Sequence, residues 1–385
     1  MPIRPLTASA LALSLLAGPL ALGLPQSPLR QGAPLELVHT FSGHMPVGVA
    51  VNSRGRIFVS YPRWEDPVPY SIAELRGGRA VPYPNRTLNS NPLPPDPGRF
   101  VGVQGLVVDA QDRLWVLDTG TVNLGPIISQ SAPKLVGIDT RTNAVVKTIH
   151  FPASVALKNT YLNDLRIDLR QGTGGFAYIT DSGAKSGGGL IVVDLASGRS
   201  WRKLTGDPTV LPEKGFVPFA DGRALFKRPK GGPAQTVGFA ADSIAISPKG
   251  DYLYYAPVAS RRLYAVPTEA LRDGSLSDAA VKAQVRDLGE KGVSDGMAED
   301  TAGRIYTTNF EQNAIYRRLP SGEFETVVRD PRLIWPDTLA IHGGFLYILS
   351  DQLNRQGSYH YGRDQRVKPY ALFRVRLNAR PVLLK

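Results

Sequence analysis

Six polar side chains stand at the beginnings of short apolar segments that lie far apart in the chain. They comprise four carboxylates and two amides, namely Gln104, Asn163, Asp164, Asp242, Asp295 and Asp337. If these segment starts meet in the fold, the carboxylates repel one another and raise each other's pKa unless a cation lies between them. Such a cluster therefore holds a hard cation, binds the ammonium group of a ligand, or shares protons.

The donor types discriminate among metals. The chain has no cysteine and only five histidines, none of which has metal-ligand spacing from another. Oxygen donors without imidazole or thiolate favour Ca²⁺ over zinc or copper, so calcium is the cofactor that the sequence points to. The absence of cysteine also excludes disulfides, thiolate nucleophiles and iron–sulfur clusters.

The same carboxyl groups are the main candidates for proton transfer. The sequence contains no serine in a nucleophile elbow and no phosphate-binding glycine loop. A tautomerase needs only one or two proton carriers, and Asp295 and Asp164 are the candidates for that catalytic role. The alternative is structural, because aspartates beside strands often accept hydrogen bonds from backbone N–H groups. We prefer that interpretation for Asp109, Asp118, Asp168, Asp181, Asp194 and Asp300.

Aromatic side chains could complete an ammonium site, because the face of a ring attracts a cation. Phe310 and Trp335 are candidates for ligand contact, and Trp335 lies two residues before Asp337. Tyr359 and Trp115 are further candidates, but Trp115 falls in the middle of a predicted strand, where core packing is the more common role.

The segments that must position these side chains form a repeat. Apolar strand, tight turn and apolar strand follow one another in four stretches that begin at Val49, Leu106, Ile244 and Met297. Looser copies begin at Leu165 and Leu339. Asn, Asp, Ser and Gly occupy the turns, as hairpins require. A spacing of about 40 to 80 residues suits propeller blades of four short strands.

The ends of the chain indicate how the ring closes. The sixth unit stops after its third strand, at Leu377, whereas a spare strand, residues 35–41, precedes the first unit. We therefore predict an all-β fold, a six-bladed β-propeller closed by pairing of the N-terminal strand with the last blade. Residues 24–385 form this single domain. Two insertions, residues 65–100 with eight prolines and residues 205–240, are predicted to be surface loops near a ligand mouth.

The N-terminal residues are typical of an export signal. Arg4 precedes an uncharged apolar run that Gly18 and Pro19 interrupt, and Ala21-Leu22-Gly23 fits a small-x-small cleavage site. Residues 1–23 are therefore predicted to be a signal peptide, with an uncleaved anchor as the lesser alternative. The mature protein is expected to be secreted or periplasmic, with no membrane span. The net charge of the chain is +12, and its basic residues are scattered along the sequence. This distribution favours a solvated basic surface over nucleic-acid binding.

Seven segments carry distinctive motifs. They are Val103–Gly120 (VQGLVVDAQDRLWVLDTG), Tyr161–Asp168, Phe176–Gly183, Tyr254–Tyr264, Val293–Met297, Trp335–Asp337 and Ser350–Arg355. Together they resemble the Yellow / major royal jelly protein family, and they follow one another in family order over roughly residues 100–380. The resemblance implies a secreted six-bladed propeller. Some members of the family bind biogenic amines in the central channel, and others are linked to dopachrome conversion.

A weaker resemblance is to the gluconolactonase / senescence-marker propellers, which hold a divalent metal on the propeller axis. Residues 294–297 followed by 303–306 are similar to their aspartate-bearing segment. The resemblance implies a metal site formed by Asn163, Asp242 and Asp295. The glutamate expected in the first blade is absent, because the chain has Met45-Pro-Val-Gly-Val-Ala there.

Three functions remain open from the sequence. The first is a secreted propeller that binds a small aromatic amine or a dopachrome-like molecule in its channel, with or without isomerase activity. The second is a calcium-dependent lactonase or esterase, and the third is a non-catalytic scaffold. The predicted ligand-binding residues are Gln104, Asn163, Asp164, Asp242, Asp295, Phe310, Trp335 and Asp337. The partner is a small molecule, and the oligomeric state is left open.

Overall fold

The architecture is a closed ring of six antiparallel sheets in a computed structural model that describes residues 1–2 and 30–385. The innermost strands of successive blades pack against one another, and that of blade 1 packs against that of blade 6. The ring is therefore closed, and the predicted six-bladed β-propeller is confirmed.

Each blade contains four strands, which follow one another from the axis outward. Blades 1 to 3 consist of Gly48–Val51, Ile57–Ser60, Ile72–Arg76 and Arg79–Pro82; Val103–Val108, Arg113–Asp118, Lys134–Asp139 and Ala144–His150; and Leu162–Asp168, Phe176–Asp181, Gly189–Asp194 and Ser200–Lys203. Blades 4 to 6 consist of Ala241–Ile246, Tyr252–Pro257, Arg262–Pro267 and Arg286–Glu290; Met297–Glu299, Ile305–Asn309, Ala314–Arg318 and Phe324–Arg329; and Pro336–His342, Phe345–Ser350, Tyr370–Arg376 and Glu36–Phe41.

The remaining elements are short and lie between these strands. The α-helices Thr268–Arg272 and Asp278–Lys282 precede the outer strand of blade 4, and one-turn 3₁₀ helices occur at Ala184–Ser186, Leu353–Arg355 and Gly357–Tyr359. The 205–240 insertion contains two small hairpins, Phe219–Ala220 with Arg223–Ala224 and Phe226–Lys227 with Gln235–Thr236.

The N-terminal strand closes the sixth blade as predicted. Glu36–Phe41 pairs antiparallel with Tyr370–Arg376, with Glu36 opposite Arg374. Without it, the edge of Tyr370–Arg376 would expose unpaired backbone groups. Just upstream, Gln31–Gly32 adds a short fifth strand to blade 5, so the N-terminal segment ties the last two blades together.

The prediction that residues 65–100 form an extended loop was wrong for part of that segment. Ile72–Arg76 and Arg79–Pro82 are the third and fourth strands of blade 1. Gly77 and Gly78 connect them with φ angles of 54° and 74°, the left-handed pair that a type I′ hairpin turn requires. The eight surrounding prolines obscured this Gly-Gly hairpin signal.

The inner strands approach one another closely around the axis, and glycine makes this possible. A Cβ atom on Gly105 would lie 2.4 Å from the carbonyl oxygen of Asn163, and one on Gly296 would lie 2.1 Å from that of Asp337. Any side chain at these positions would push the blades apart. The close packing brings the first residues of neighbouring inner strands together.

The C-terminal segment runs across blades after the last strand. Leu384 forms a parallel bridge with Asp168 of blade 3, and Pro381 bridges Asp300 of blade 5. The predicted signal peptide, residues 1–23, lies almost entirely outside the described residues and stays a prediction. Within residues 1–2 and 30–385, the structure contains no helix with the length and apolarity needed to cross a membrane.

Candidate functional site

A small cavity lies where the inner strands begin, at one end of the central channel. Its volume is about 20 Å³, and a site needs roughly 10–15 Å³ to hold one water molecule. Five of the predicted residues line it together, namely Gln104, Asn163, Asp242, Asp295 and Asp337. The cavity therefore accommodates a single water molecule or a single ion.

Asp242 and Asp295 form a buried carboxyl pair in this cavity. Burial and the nearby carboxylate of Asp295 raise the pKa of Asp242 well above its usual range, and a hydrogen bond joins the two side chains. Burial also raises the pKa of Asp295. Asn163 donates its Nδ2–H to Asp242 Oδ2 at 2.5 Å. Because two buried, hydrogen-bonded carboxylates repel each other when both are ionised, the pair favours the state that keeps one proton.

Asp337 forms a second pair with Asp351, a residue that the sequence did not mark as part of the site. Burial raises the pKa of Asp351 to about 8, and burial with the charge of Asp295 raises the pKa of Asp337 well above its usual value. Asp351 follows strand Phe345–Ser350, which pairs with Pro336–His342. Pairing of these two strands brings Asp337 and Asp351 together, so the hairpin predicted in the sixth unit was the sequence signal that could have revealed this pair.

Asp164 is buried but does not line the cavity. Burial raises its pKa to about 6, whereas the guanidinium of Arg166 opposes this shift and Asp295 adds to it. Its backbone N–H donates to Thr180 Oγ1 at 3.2 Å. Asp164 is thus a protonatable group near the cluster, and its catalytic role stays a prediction.

The two predicted aromatic contacts pack against each other instead of facing the cavity. The rings of Phe310 and Trp335 stack with centroids 3.9 Å apart and an interplanar angle of 11°. Both side chains are buried. Trp335 reaches the site through its indole N–H, which donates to Asp295 Oδ2 at 2.5 Å and lowers the pKa of that carboxyl. Trp115 belongs to the core, where its Nε1–H bonds Asp109.

Residues of the connections between strands also line the cavity, and we call them its cover. They are Trp64, Leu124, Phe239 and, in a 3₁₀ helix, Leu353. Trp64 Nε1 donates to the hydroxyl of Tyr161 at 2.9 Å, which in turn donates to Gln104 Oε1 at 3.0 Å. An organic molecule can reach the carboxyl pairs only if some of this cover moves.

A lysine next to the cluster was also missed. Lys291 is buried, and burial lowers its pKa to about 7 while the charge of Asp242 opposes the shift. Its ammonium donates to the carbonyl of Gly292 at 3.0 Å. Lys291 precedes Asp295 by only four residues. This closeness in the chain could have predicted that the lysine lies near the cluster.

The aspartates interpreted as structural do bind backbone groups. Asp118 accepts hydrogen bonds from Val101 N–H and Gly102 N–H at 2.9 and 3.0 Å. Asp300 accepts from Ala302 N–H at 2.9 Å and Arg304 N–H at 3.1 Å. Equivalent turn bonds are made by Asp109, Asp168, Asp181 and Asp194.

The donor set of the cavity suits a hard cation only in part. Carboxyl and amide oxygens are the preferred ligands of Ca²⁺, and they are present here. Nevertheless, no three histidine or acidic side chains within residues 30–385 are arranged as a ready metal centre. Binding of a cation would require the carboxyl pairs to lose their protons and turn inward.

Fold and site together define a class, the six-bladed propellers with a polar cluster on the axis. Within that class, the family model for the major royal jelly proteins matches residues 101–383. The chain therefore belongs to the major royal jelly protein family.

Curated relatives agree with this assignment. The chain is 26% identical over 343 residues to Protein yellow of Drosophila yakuba and equally so to that of Drosophila melanogaster, with 80% of this chain and 58% of each relative covered. Protein yellow of Drosophila madeirensis is 28% identical over 249 residues, which cover 60% of this chain and 40% of the relative. The matched segment thus spans 40% to 58% of the length of these relatives.

Solved structures show the same fold at low identity. A calcium-binding protein, regucalcin, from Agrobacterium tumefaciens superimposes with a TM-score of 0.52 at 15% identity, covering 91% of this chain and 98% of its own. A gluconolactonase from Xanthomonas campestris gives 0.52 at 14% identity, covering 92% and 99%. A luciferin-regenerating enzyme gives 0.55 at 14% identity, covering 92% and 100%. At such identities the likeness concerns the fold alone.

Proposed function

We propose that the protein binds one small hard cation, Ca²⁺, at the mouth of its central channel. The ligands would be Asp242, Asp295 and Asn163, with Asp337 and Gln104 on the facing wall of the cavity. The observation that carries the proposal is the raised pKa of two buried carboxyl pairs around a space of about 20 Å³. A cation in that space would replace the protons and remove the repulsion.

The donor chemistry fits calcium better than it fits a transition metal. All available donors are oxygens, from carboxyl groups and amides, and none is imidazole or thiolate. One of the proteins that share the fold is a calcium-binding regucalcin, which agrees with this choice. The main departure from the gluconolactonase-type metal site is the missing glutamate of the first blade. In this proposal Asp337 of the sixth blade supplies a carboxyl group in its place.

A bound cation would supply Lewis-acid polarisation of a substrate carbonyl, which suits hydrolysis of a lactone or ester. The chain's own residues would then bind and move protons. Asp164, with a pKa of about 6, can hold or release a proton near neutral pH, but it would reach a substrate only if the residues between it and the cavity moved. The cover formed by Trp64, Leu124 and Phe239 would exclude water once the substrate had entered.

A second candidate is binding of a small aromatic amine, including isomerisation of a dopachrome-like molecule. The observation that favours it is the aromatic cover, because Trp64, Tyr161 and Phe239 line the same cavity as the carboxyl pairs. An ammonium group would take the place of the cation between Asp242 and Asp295, and the shared proton would serve tautomerisation. This function needs the cover to open. Export from the cytoplasm remains part of both proposals.

Calcium binding is tested directly on the chain after treatment with EDTA. We expect isothermal titration calorimetry to give one Ca²⁺ per chain, and elemental analysis after dialysis to agree. Asp242→Asn and Asp295→Asn keep the side-chain shape but remove a charge, and should weaken binding at least tenfold. The matched control is Asp287→Asn, because Asp287 lies on an outer strand with its side chain 44% exposed.

The outcomes separate the candidates. Calcium binding that is lost in both axial variants and kept in the control supports the first proposal. Indifference to calcium together with binding of dopamine or serotonin, lost in Asp295→Asn, supports the second. A wild-type protein that binds neither calcium nor amine contradicts both and leaves the scaffold function.

A further inference from the structure

A second, much larger cavity lies between the 205–240 insertion and the connection 353–366 of blade 6. Its volume is about 890 Å³, within the roughly 300–1,000 Å³ that is usual for small-molecule sites. The two walls are joined by backbone hydrogen bonds, because Arg228 N–H donates to Ser358 O and Tyr361 N–H donates to Arg228 O, both at 2.7 Å. The cleft is therefore built by ordered contacts.

The cleft is strongly basic. Four arginines and a single aspartate contribute to its lining, namely Arg223, Arg228, Arg355, Arg363 and Asp221. The aspartate is already neutralised, since Arg355 binds both of its oxygens at 2.8 and 2.9 Å. Among the described residues, the guanidinium groups of Arg223 and Arg363 have no hydrogen-bond or ion-pair partner. Those two groups, together with Arg228, leave an uncompensated positive charge of three in the cleft.

One buried polar atom in the lining also lacks a partner. Asn354 is only 4% exposed, and its Nδ2–H donates to Asp221 Oδ2 at 2.8 Å. Because a carboxylate only accepts hydrogen bonds, this contact fixes the orientation of the amide, and Oδ1 is left without any donor within the described residues. Leaving a buried acceptor unsatisfied is unfavourable. Because this oxygen is inaccessible to water in the present conformation, a hydroxyl or N–H of a ligand can satisfy it only after a small movement of the neighbouring side chains.

An exposed aromatic ring completes the lining. The side chain of Tyr361 is 57% exposed although its backbone is held at a φ of 57°. A non-glycine residue in this region is uncommon and needs its surroundings to hold it there. The hydrogen bond to Arg228 does so, and it presents the ring at the edge of the cleft, where it can stack on a planar ligand.

We propose that this cleft is a binding site for a small aromatic hydroxy-carboxylate. Arg223, Arg228 and Arg363 would bind the carboxylate. The ligand hydroxyl would donate a hydrogen bond to Asn354 Oδ1, and Tyr361 would pack on the ring. The chemical logic is that guanidinium groups bind carboxylates by charge-assisted, often bidentate hydrogen bonds. None of the polar groups assigned to this ligand belongs to the two carboxyl pairs.

The test uses three probes that differ by one group. They are 4-hydroxyphenylacetate, phenylacetate, which lacks the hydroxyl, and 4-hydroxyphenethyl alcohol, which lacks the charge. In calorimetric titrations in EDTA, 4-hydroxyphenylacetate should bind most tightly, phenylacetate less tightly and 4-hydroxyphenethyl alcohol least tightly. The affinities of the first and the last probe should differ by about tenfold. The affinity of the first probe should fall as salt is raised.

Two variants make the test specific to the cleft. The double variant Arg223→Gln, Arg363→Gln should lose at least tenfold in affinity for 4-hydroxyphenylacetate and still fold, because these exposed side chains have no partners to lose. The control is Arg141→Gln on blade 2, whose side chain is 68% exposed, and it should bind like the wild type. Equal affinity for the acid and the alcohol, or an unchanged affinity in the double variant, would overturn the proposal. Loss of calcium binding in Asp242→Asn leaves it untouched.

Discussion

The buried carboxyl pairs should make the stability of the cation-free protein fall as pH rises. Asp351 has a pKa of about 8 in the folded chain, against roughly 3.9 for an unperturbed aspartate. The folded state therefore keeps a proton that the unfolded state releases, and stability declines between these two pH values. The slope is about 1.4 kcal/mol per pH unit for each retained proton, or about 2.7 kcal/mol between pH 5 and pH 7.

This loss is large enough to measure as a melting temperature. Unfolding entropy of about 2.1 cal/mol/K per residue gives roughly 0.8 kcal/mol/K for a chain of this size. One retained proton therefore lowers Tm by about 3–4 °C between pH 5 and pH 7. Asp242 and Asp337, whose pKa values are also raised well above the usual range by burial and like charges, steepen the decline.

Two other groups, the half-buried His44 and the buried Lys291, titrate with the opposite sign and set the design of the assay. Burial lowers the pKa of His44 to about 4, so its contribution to stability rises between pH 4 and about 6.5. The lowered pKa of Lys291, about 7, acts in the same direction only above pH 7. Comparing the wild type with Asp351→Asn between pH 5 and pH 7 cancels the histidine, because both proteins contain it.

We therefore expect differential scanning calorimetry in EDTA to show a steeper fall of Tm for the wild type than for Asp351→Asn, by about 3–4 °C over this range. Free Ca²⁺ at about 100 times its Kd adds about 2.7 kcal/mol and should restore the wild type at pH 7. At pH 4.5 the same addition should have little effect, because protons occupy the site. A wild-type slope equal to that of Asp351→Asn would refute the argument.

Three further predictions concern the ring itself. Burial raises the pKa of Glu299 to about 9, and both of its carboxyl oxygens lack partners among the described residues. The free energy of unfolding therefore falls between about pH 4.5 and pH 9. Glu299→Gln should melt at a higher temperature than the wild type at pH 8. Lys134→Met leaves the buried carboxylate of Asp118 without its ammonium at 2.9 Å, and should cost about 3–5 kcal/mol in urea unfolding; a change below about 1 kcal/mol would contradict this. Deleting residues 30–41 exposes the edge of blade 6 and should give aggregation in size-exclusion chromatography, whereas a monomer with wild-type Tm would show that closure is dispensable.

The blades were predictable because their turns carry local chemistry. Gly, Asn and Asp mark the hairpins between first and second strands in every unit, and apolar residues fill the strands. The outer strands were harder, because they bury one face and read as polar. In blade 1, Ile72–Arg76 and Arg79–Pro82 were hidden among prolines that serve the flanking loops.

The axial cavity was predictable only in part, for a geometric reason. Gln104, Asn163 and Asp295 begin or precede inner strands, so their convergence follows from ring closure alone. Asp351 enters from the end of a second strand, and Trp64 enters from a loop. The stacking of Phe310 on Trp335 depends on how two connections pack, and no spacing rule along a single strand reports it.

One structural motif in the blades supports the proposed binding of a cation at the axial cluster. Asp118, Asp181 and Asp351 occupy equivalent positions at the end of a second strand, and each accepts a hydrogen bond from the backbone N–H two residues on, at 2.8–3.0 Å. In blades 2 and 3 a buried cation neutralises the aspartate, Lys134 at 2.9 Å and Arg202 at 2.8 Å. In blade 6 no described lysine or arginine forms an ion pair with Asp351, and a second carboxyl group is its neighbour. The fold thus repeats a carboxylate that forms an ion pair in blades 2 and 3, whereas burial raises the pKa of Asp351 in blade 6 to about 8. This contrast is consistent with the proposed binding of a cation at the axial cluster.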